Sequence, residues 1–134
     1  MWFRFRPEVN MLSLSKKAFE DLVEEALADI PKEFRDLARN VQITVQSRPG
    51  PEAGRMPDPE LLLGLYLGPS LKDTAGGVHP SFPARIVLYQ APLQEGCHDE
   101  ATLKRQVALT LRHEFAHHLG FSDEELQERW PEGA

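Results

Sequence analysis

Two of the five histidines, His113 and His117, stand four residues apart, with Glu114 directly after the first, so that His113-Glu114-Phe115-Ala116-His117 reads H-E-x-x-H. On a helix, residues four apart lie one above the other, and two imidazole nitrogens can converge on one ion at about 2.0 to 2.1 Å. Zinc is the ion this pattern predicts. With a third ligand and one open position it would acidify a water molecule to a pKa of about 7 and polarise a carbonyl group. Glu114 falls on the flank of the His117 stripe. From there its carboxylate can take that water's proton without binding the metal and pass it to a leaving amine, which is the role of a general base. The chemistry expected is zinc-dependent hydrolysis, with Zn2+ as cofactor, His113 and His117 as ligands and Glu114 as the catalytic residue.

The motif means something only on a helix, and the surrounding residues predict one. From about Asp99 to Leu119, Leu103, Val107, Leu111, Phe115 and Leu119 recur at helical spacing, and Gly120 follows as a residue able to adopt the left-handed stop. His113 and His117 share a stripe with Gln106 and Thr110, beside the apolar one. Ser122 to Glu125 reads Ser-x-x-Glu, a capping box for a short last helix. Near the other end, Ser15 precedes Phe19, Leu22, Val23, Ala26, Leu27 and Ile30, an amphipathic helix ended by Pro31. Lys32 to Asn40 reads as a second short helix.

Val41, Ile43 and Val45 alternate with Gln42, Thr44 and Gln46, as in a half-buried strand. Leu61 to Leu67 and Arg85 to Tyr89 read as buried strands. The six Pro and Gly residues between Arg48 and Pro59 predict an exposed, irregular connection, and a loop with Gly76, Gly77, Pro80 and Pro83 joins the last two strands. The order helix, strand, strand, strand, helix predicts an α+β domain with a three- or four-stranded sheet packed against the N-terminal helix and the long H-E-x-x-H helix.

Length and composition narrow the function. The 134 residues, 41% hydrophobic, fit one domain over residues 1–134. A formal net charge of -6 repels polyanions, so neither nucleic acid nor an anionic membrane is the expected partner. The N-terminus mixes aromatics with charges, and no stretch is long and apolar enough to span a bilayer. Cys97 is the one cysteine and has no internal disulfide partner, which fits a reducing compartment, and cytoplasm is the location expected. Oligomeric state is not written in the sequence.

Other polar residues have plainer readings. His118 points about 100° away from His117 and shares the core stripe, so a packed, hydrogen-bonded histidine is expected. His79 lies in the Gly/Pro-rich loop, where an exposed histidine is the default and an oxyanion-stabilising role the sharper reading. Tyr66 and Tyr89 sit in strand-like runs, and either would donate its hydroxyl to a reaction only if its strand bordered the cleft.

After the motif the chain continues His118-Leu119-Gly120-Phe121-Ser122-Asp123, which resembles the extended zincin pattern H-E-x-x-H-x-x-G-x-x-(H/D). That resemblance implies Asp123 as the third metal ligand, returned to the metal by the turn at Gly120; Glu124, Glu128 and Glu132 are the substitutes should Asp123 serve only to cap a helix. The segment Ile86 to Leu93, then Cys97, then His113 to Gly120, with the early Phe19 to Pro31 stretch, looks like the small bacterial zincin-like metallopeptidase family. This implies a minimal zincin fold acting on a peptide or protein substrate. Glu95-Gly96-Cys97 before H-E-x-x-H is also similar to peptide deformylases, but Ala116 stands where they carry an aspartate and the cysteine-to-histidine separation is much shorter. H-x-x-x-H-x-x-G resembles metal-dependent endoribonucleases of ribosomal RNA maturation, which lack the glutamate and carry a further histidine. A different class is a zinc-binding regulatory or interaction module without turnover; such a module needs the ligands but has no use for Glu114.

Overall fold

The computed structural model describes residues 12–37, 40–68, 84–120, 124, 125 and 128, with the side chains of 33, 34 and 37 left aside. The elements in chain order are α1 (Lys16–Ala28), α2 (Lys32–Leu37), β1 (Gln42–Gln46), β2 (Gly64–Leu67), β3 (Arg85–Tyr89), α3 (Gln90–Glu95) and α4 (Glu100–Leu119), with short 3-10 turns at Pro51–Ala53 and Pro59–Leu61. The fold is α+β, as the pattern predicts. Among the described residues no helix is long and apolar enough to cross a membrane.

The sheet order is β1-β3-β2, with β1 parallel and β2 antiparallel to β3. β3 is central because its whole run is apolar enough to be covered on both sides: Ile86, Val87, Leu88 and Tyr89 are all fully buried. Ile86 and Leu88 face the core, where they meet Phe19, Leu22, Val23 and Ala26 of α1 and Leu103, Val107, Leu111 and Phe115 of α4. Val41, Ile43 and Val45 pack against the edge of that core as their alternation requires.

Both long helices begin where a side chain can satisfy an orphan N–H. Ser15 accepts from the Ala18 N–H at 3.1 Å, and Asp99 accepts from the Thr102 N–H at 2.7 Å. α1 stops at Ala28, before Pro31, and Ile30 turns its side chain into the core. α2 fills Lys32–Leu37 of the Lys32 to Asn40 stretch.

Three expectations need correction. The apolar run from Leu61 to Leu67 is not one strand. Leu61 is 70% exposed in a 3-10 turn, and β2 begins only at Gly64, just after the Leu63 carbonyl accepts from the Tyr89 N–H at 3.0 Å. The connection from Arg48 to Pro59 is neither wholly irregular nor wholly exposed, because Ala53 is buried and Glu52 is tied to the sheet. Its Oε2 accepts from Tyr89 Oη at 2.7 Å, the Gly50 N–H at 2.9 Å and Gln46 Nε2 at 3.0 Å. Finally, α3 adds a helix directly after β3. Pro92 sits in its first turn, where a missing N–H costs nothing.

Candidate metal centre

The site stands on the last two turns of α4. Gly120 closes the helix at φ 85°, a left-handed conformation that favours glycine, and its N–H donates to the carbonyls of Ala116 and His117. The carbonyl of the second histidine is thus capped by the glycine of the motif.

Within this frame one nitrogen of His113, one carboxylate oxygen of Glu114 and one nitrogen of His117 lie within 4.8 Å of one another. The rings of His113 and His117 have centroids 4.6 Å apart at an interplanar angle of 68°. Glu114 is buried, and its Oε1 lies 3.3 Å from His117 Nδ1. The His117 side chain is 44% exposed, so its ring has room to turn toward an ion. Two imidazoles one helical turn apart, with a buried carboxylate reaching over the same space, fit a small divalent ion: ligand bonds of about 2.0 to 2.1 Å need only modest side-chain rotation from this spacing.

β2 runs beside this part of α4. Gly64 packs so closely on the helix that a Cβ there would stand 2.7 Å from Thr110 Cγ2. Two residues on, Tyr66 Oη lies 2.9 Å from His118 Nδ1. His118 is buried, and burial lowers its pKa from the ordinary histidine value, which favours the neutral ring. A neutral ring can accept at Nδ1 from the tyrosine hydroxyl while Nε2 keeps its proton. His118 is therefore the packed, hydrogen-bonded histidine that its azimuth predicts.

Both strand tyrosines are engaged inside the protein. Burial pushes the Tyr89 hydroxyl well above the usual tyrosine range, and the Glu52 carboxylate it donates to adds to the shift. The same bond, followed by that from the Gly50 N–H, holds Glu52 down at about 2. Cys97 lies in the core, its thiol pushed up by burial, and is not part of the donor group at His113, Glu114 and His117. The cysteine-ligand arrangement of deformylases is therefore not assembled among the described residues. Asp123, Glu132 and His79 lie outside the described residues. Glu124, Glu125 and Glu128 are helical, whereas Ser122, and with it the capping box, lies outside the described residues.

With this geometry in place, the zincin-like metallopeptidase family model matches residues 38–131. The chain belongs to that family. The matched stretch holds the whole sheet, α3 and α4, and so every residue of the donor group. Among solved structures, a conserved hypothetical protein from T. thermophilus is 26% identical, aligned over 79% of this chain and 94% of its own, with a TM-score of 0.51. No curated protein matches the chain. A zincin-like metallopeptidase fold implies a metal ion, and His113, Glu114 and His117 form a donor group that could hold one.

Sequence reasoning missed two features around the site: the Tyr66–His118 bond, which spans 52 residues, and the close approach of Gly64 to Thr110. Gly64 inside an apolar run is the one local sign, since a glycine in a strand marks a site of close backbone approach.

Proposed function

We propose that this chain is a zinc-dependent peptidase in which His113, His117 and Asp123 bind the metal and Glu114 is the general base. The observation that carries the proposal is the placement of Glu114. It is buried on the metal-binding helix, with its carboxylate 3.3 Å from a ring nitrogen of His117, in a chain whose family is defined by metallopeptidase likeness. A site that only stores zinc has no need of a buried carboxylate there, and burial of an acid costs free energy unless it serves or is compensated.

Zinc would supply Lewis acidity, acidifying a water molecule and polarising the scissile carbonyl. The protein's own groups do the rest. His113 and His117 bind as neutral imidazoles projecting from a rigid helix. Glu114 accepts the proton of the attacking water and returns it to the leaving amine, and its burial keeps bulk water from competing for that proton. Asp123 enters from the family pattern, placed after the Gly120 turn. An extended peptide would run along β2, an edge strand among the described residues, which lies against the site helix at Gly64. A peptide or protein is therefore the substrate proposed, with cytoplasm as its compartment.

The test compares hydrolysis and zinc content in wild type and three variants. Glu114→Gln keeps zinc and loses hydrolysis by about 100-fold or more, whereas His113→Ala loses both. Equal cleavage by wild type and Glu114→Gln would refute the general-base role. Asp123→Ala is expected to weaken zinc binding; undiminished affinity would hand the third position to Glu124, Glu128 or Glu132.

A further inference from the structure

Two contacts tie β2 to α4, and they bracket the donor group: Gly64 against Thr110 before it, and Tyr66 against His118 after it. Thr110 and His118 are eight residues apart, about 12 Å along the helix, while Gly64 and Tyr66 are about 7 Å apart along the strand. The second contact is closed through the phenol hydroxyl at the far end of the Tyr66 side chain. Its bond is with the residue next to His117, which is the more exposed of the two histidine ligands.

An exposed ligand takes its direction from the backbone beneath it. That backbone is the last turn of α4, which lies at the helix end and is closed by the Gly120 cap. Helix ends fray unless side chains anchor them. His118 is buried and bonded to Tyr66, so it anchors this turn to β2 beside the Gly120 cap.

We infer that Tyr66 is a positioning residue for the metal: its hydroxyl, bonded to His118, holds the last turn of α4 so that His117 presents its imidazole to the ion. This rests on the metal-binding reading above and adds a residue, distant in sequence, on which affinity depends. Groups behind metal ligands commonly set affinity as well as geometry. Tyr66 acts one residue further removed, so the expected effect is smaller than for a direct partner.

Cobalt(II) is the probe, because its d–d absorption reports the ligand field and its binding can be titrated without any substrate. Wild type, Tyr66→Phe, His118→Asn, His118→Leu and Val45→Ala are compared, each with the apo-protein Tm measured alongside. Tyr66→Phe removes one oxygen and is expected to weaken cobalt binding about three- to ten-fold and alter the absorption band. His118→Leu does the same, and the double variant Tyr66→Phe/His118→Leu is no worse than either single change. His118→Asn places an amide oxygen where Nδ1 stood, restores an acceptor for the tyrosine hydroxyl and stays near wild type. Val45→Ala loosens the same core from β1, on the other side of β3, and leaves cobalt affinity unchanged. The inference is overturned if Tyr66→Phe matches wild type in affinity and spectrum, or if Val45→Ala weakens binding as much as Tyr66→Phe. Absence of cobalt and zinc binding in wild type is a different result: it would overturn the metal-binding reading and this inference with it.

Discussion

Replacing Gly64 by alanine tests how closely β2 and the site helix are packed. The new Cβ would stand 2.7 Å from Thr110 Cγ2 and 3.2 Å from the Val87 carbonyl oxygen. Carbon atoms rest at about 3.5 to 4.0 Å, so the overlap with the threonine methyl is about 1 Å. Thr110 cannot swing aside easily, because it is buried and its hydroxyl donates to the Gln106 carbonyl at 2.9 Å. β2 must lift from the helix instead, and overpacking of this kind costs about 2 kcal/mol. Thr110→Ser deletes the offending methyl and keeps the hydroxyl bond; alone it costs about 1 kcal/mol for the lost burial. In the double variant the clash is largely gone, so its loss should fall short of the sum of the two single losses by about 1 to 2 kcal/mol. Urea unfolding of the four proteins, followed by circular dichroism, measures this coupling. Strictly additive losses, or a neutral Gly64→Ala, would refute the close approach and with it the alignment of β2 along the site.

Glu52 should make stability depend on pH. Its carboxyl is lowered to about 2, chiefly by the Tyr89 hydroxyl and then by the Gly50 N–H, whereas the ordinary value that the unfolded chain restores is 4.5. A depressed acid contributes stability that is present above the unfolded pKa and lost as pH falls through the folded one, so the window runs from 4.5 down to about 2. Allowing for solvent screening, wild type should exceed Glu52→Gln by about 1 kcal/mol near pH 6, with the gap closing toward pH 2; a gap independent of pH in urea titrations would count against the tie. Gly120→Ala forces an L side chain into the left-handed cap and should cost about 1 kcal/mol, or roughly 3 to 5 °C in Tm. An unchanged Tm would mean that α4 does not end in this turn.

How much of this is legible in the sequence follows from what local spacing can encode. α4 is readable at both ends and along its face: Asp99 caps it, the apolar stripe faces the core, and Gly120 takes the left-handed stop. The H-E-x-x-H geometry follows from the helix alone, since residues four apart must be neighbours. β3 is readable because its β-branched and aromatic run is buried on both faces. The start of β2 is not, since an unbroken apolar run has no period to mark where the strand begins; a 3-10 turn at Pro59–Leu61 takes up the front of the run. α3 is hidden by Pro92, which reads as a breaker unless it falls in a first turn. The two ties that fix the surroundings, Glu52 to Tyr89 across 37 residues and Tyr66 to His118 across 52, join segments whose spacing carries no trace of each other.

The central claim is that the last turns of α4 hold a zinc ion between His113 and His117. Elemental analysis of untagged protein purified without chelator, wild type beside His117→Ala, tests it most directly. About one zinc per chain is expected in wild type and none in the variant. No tightly bound zinc in wild type, or the same content in both, would contradict it.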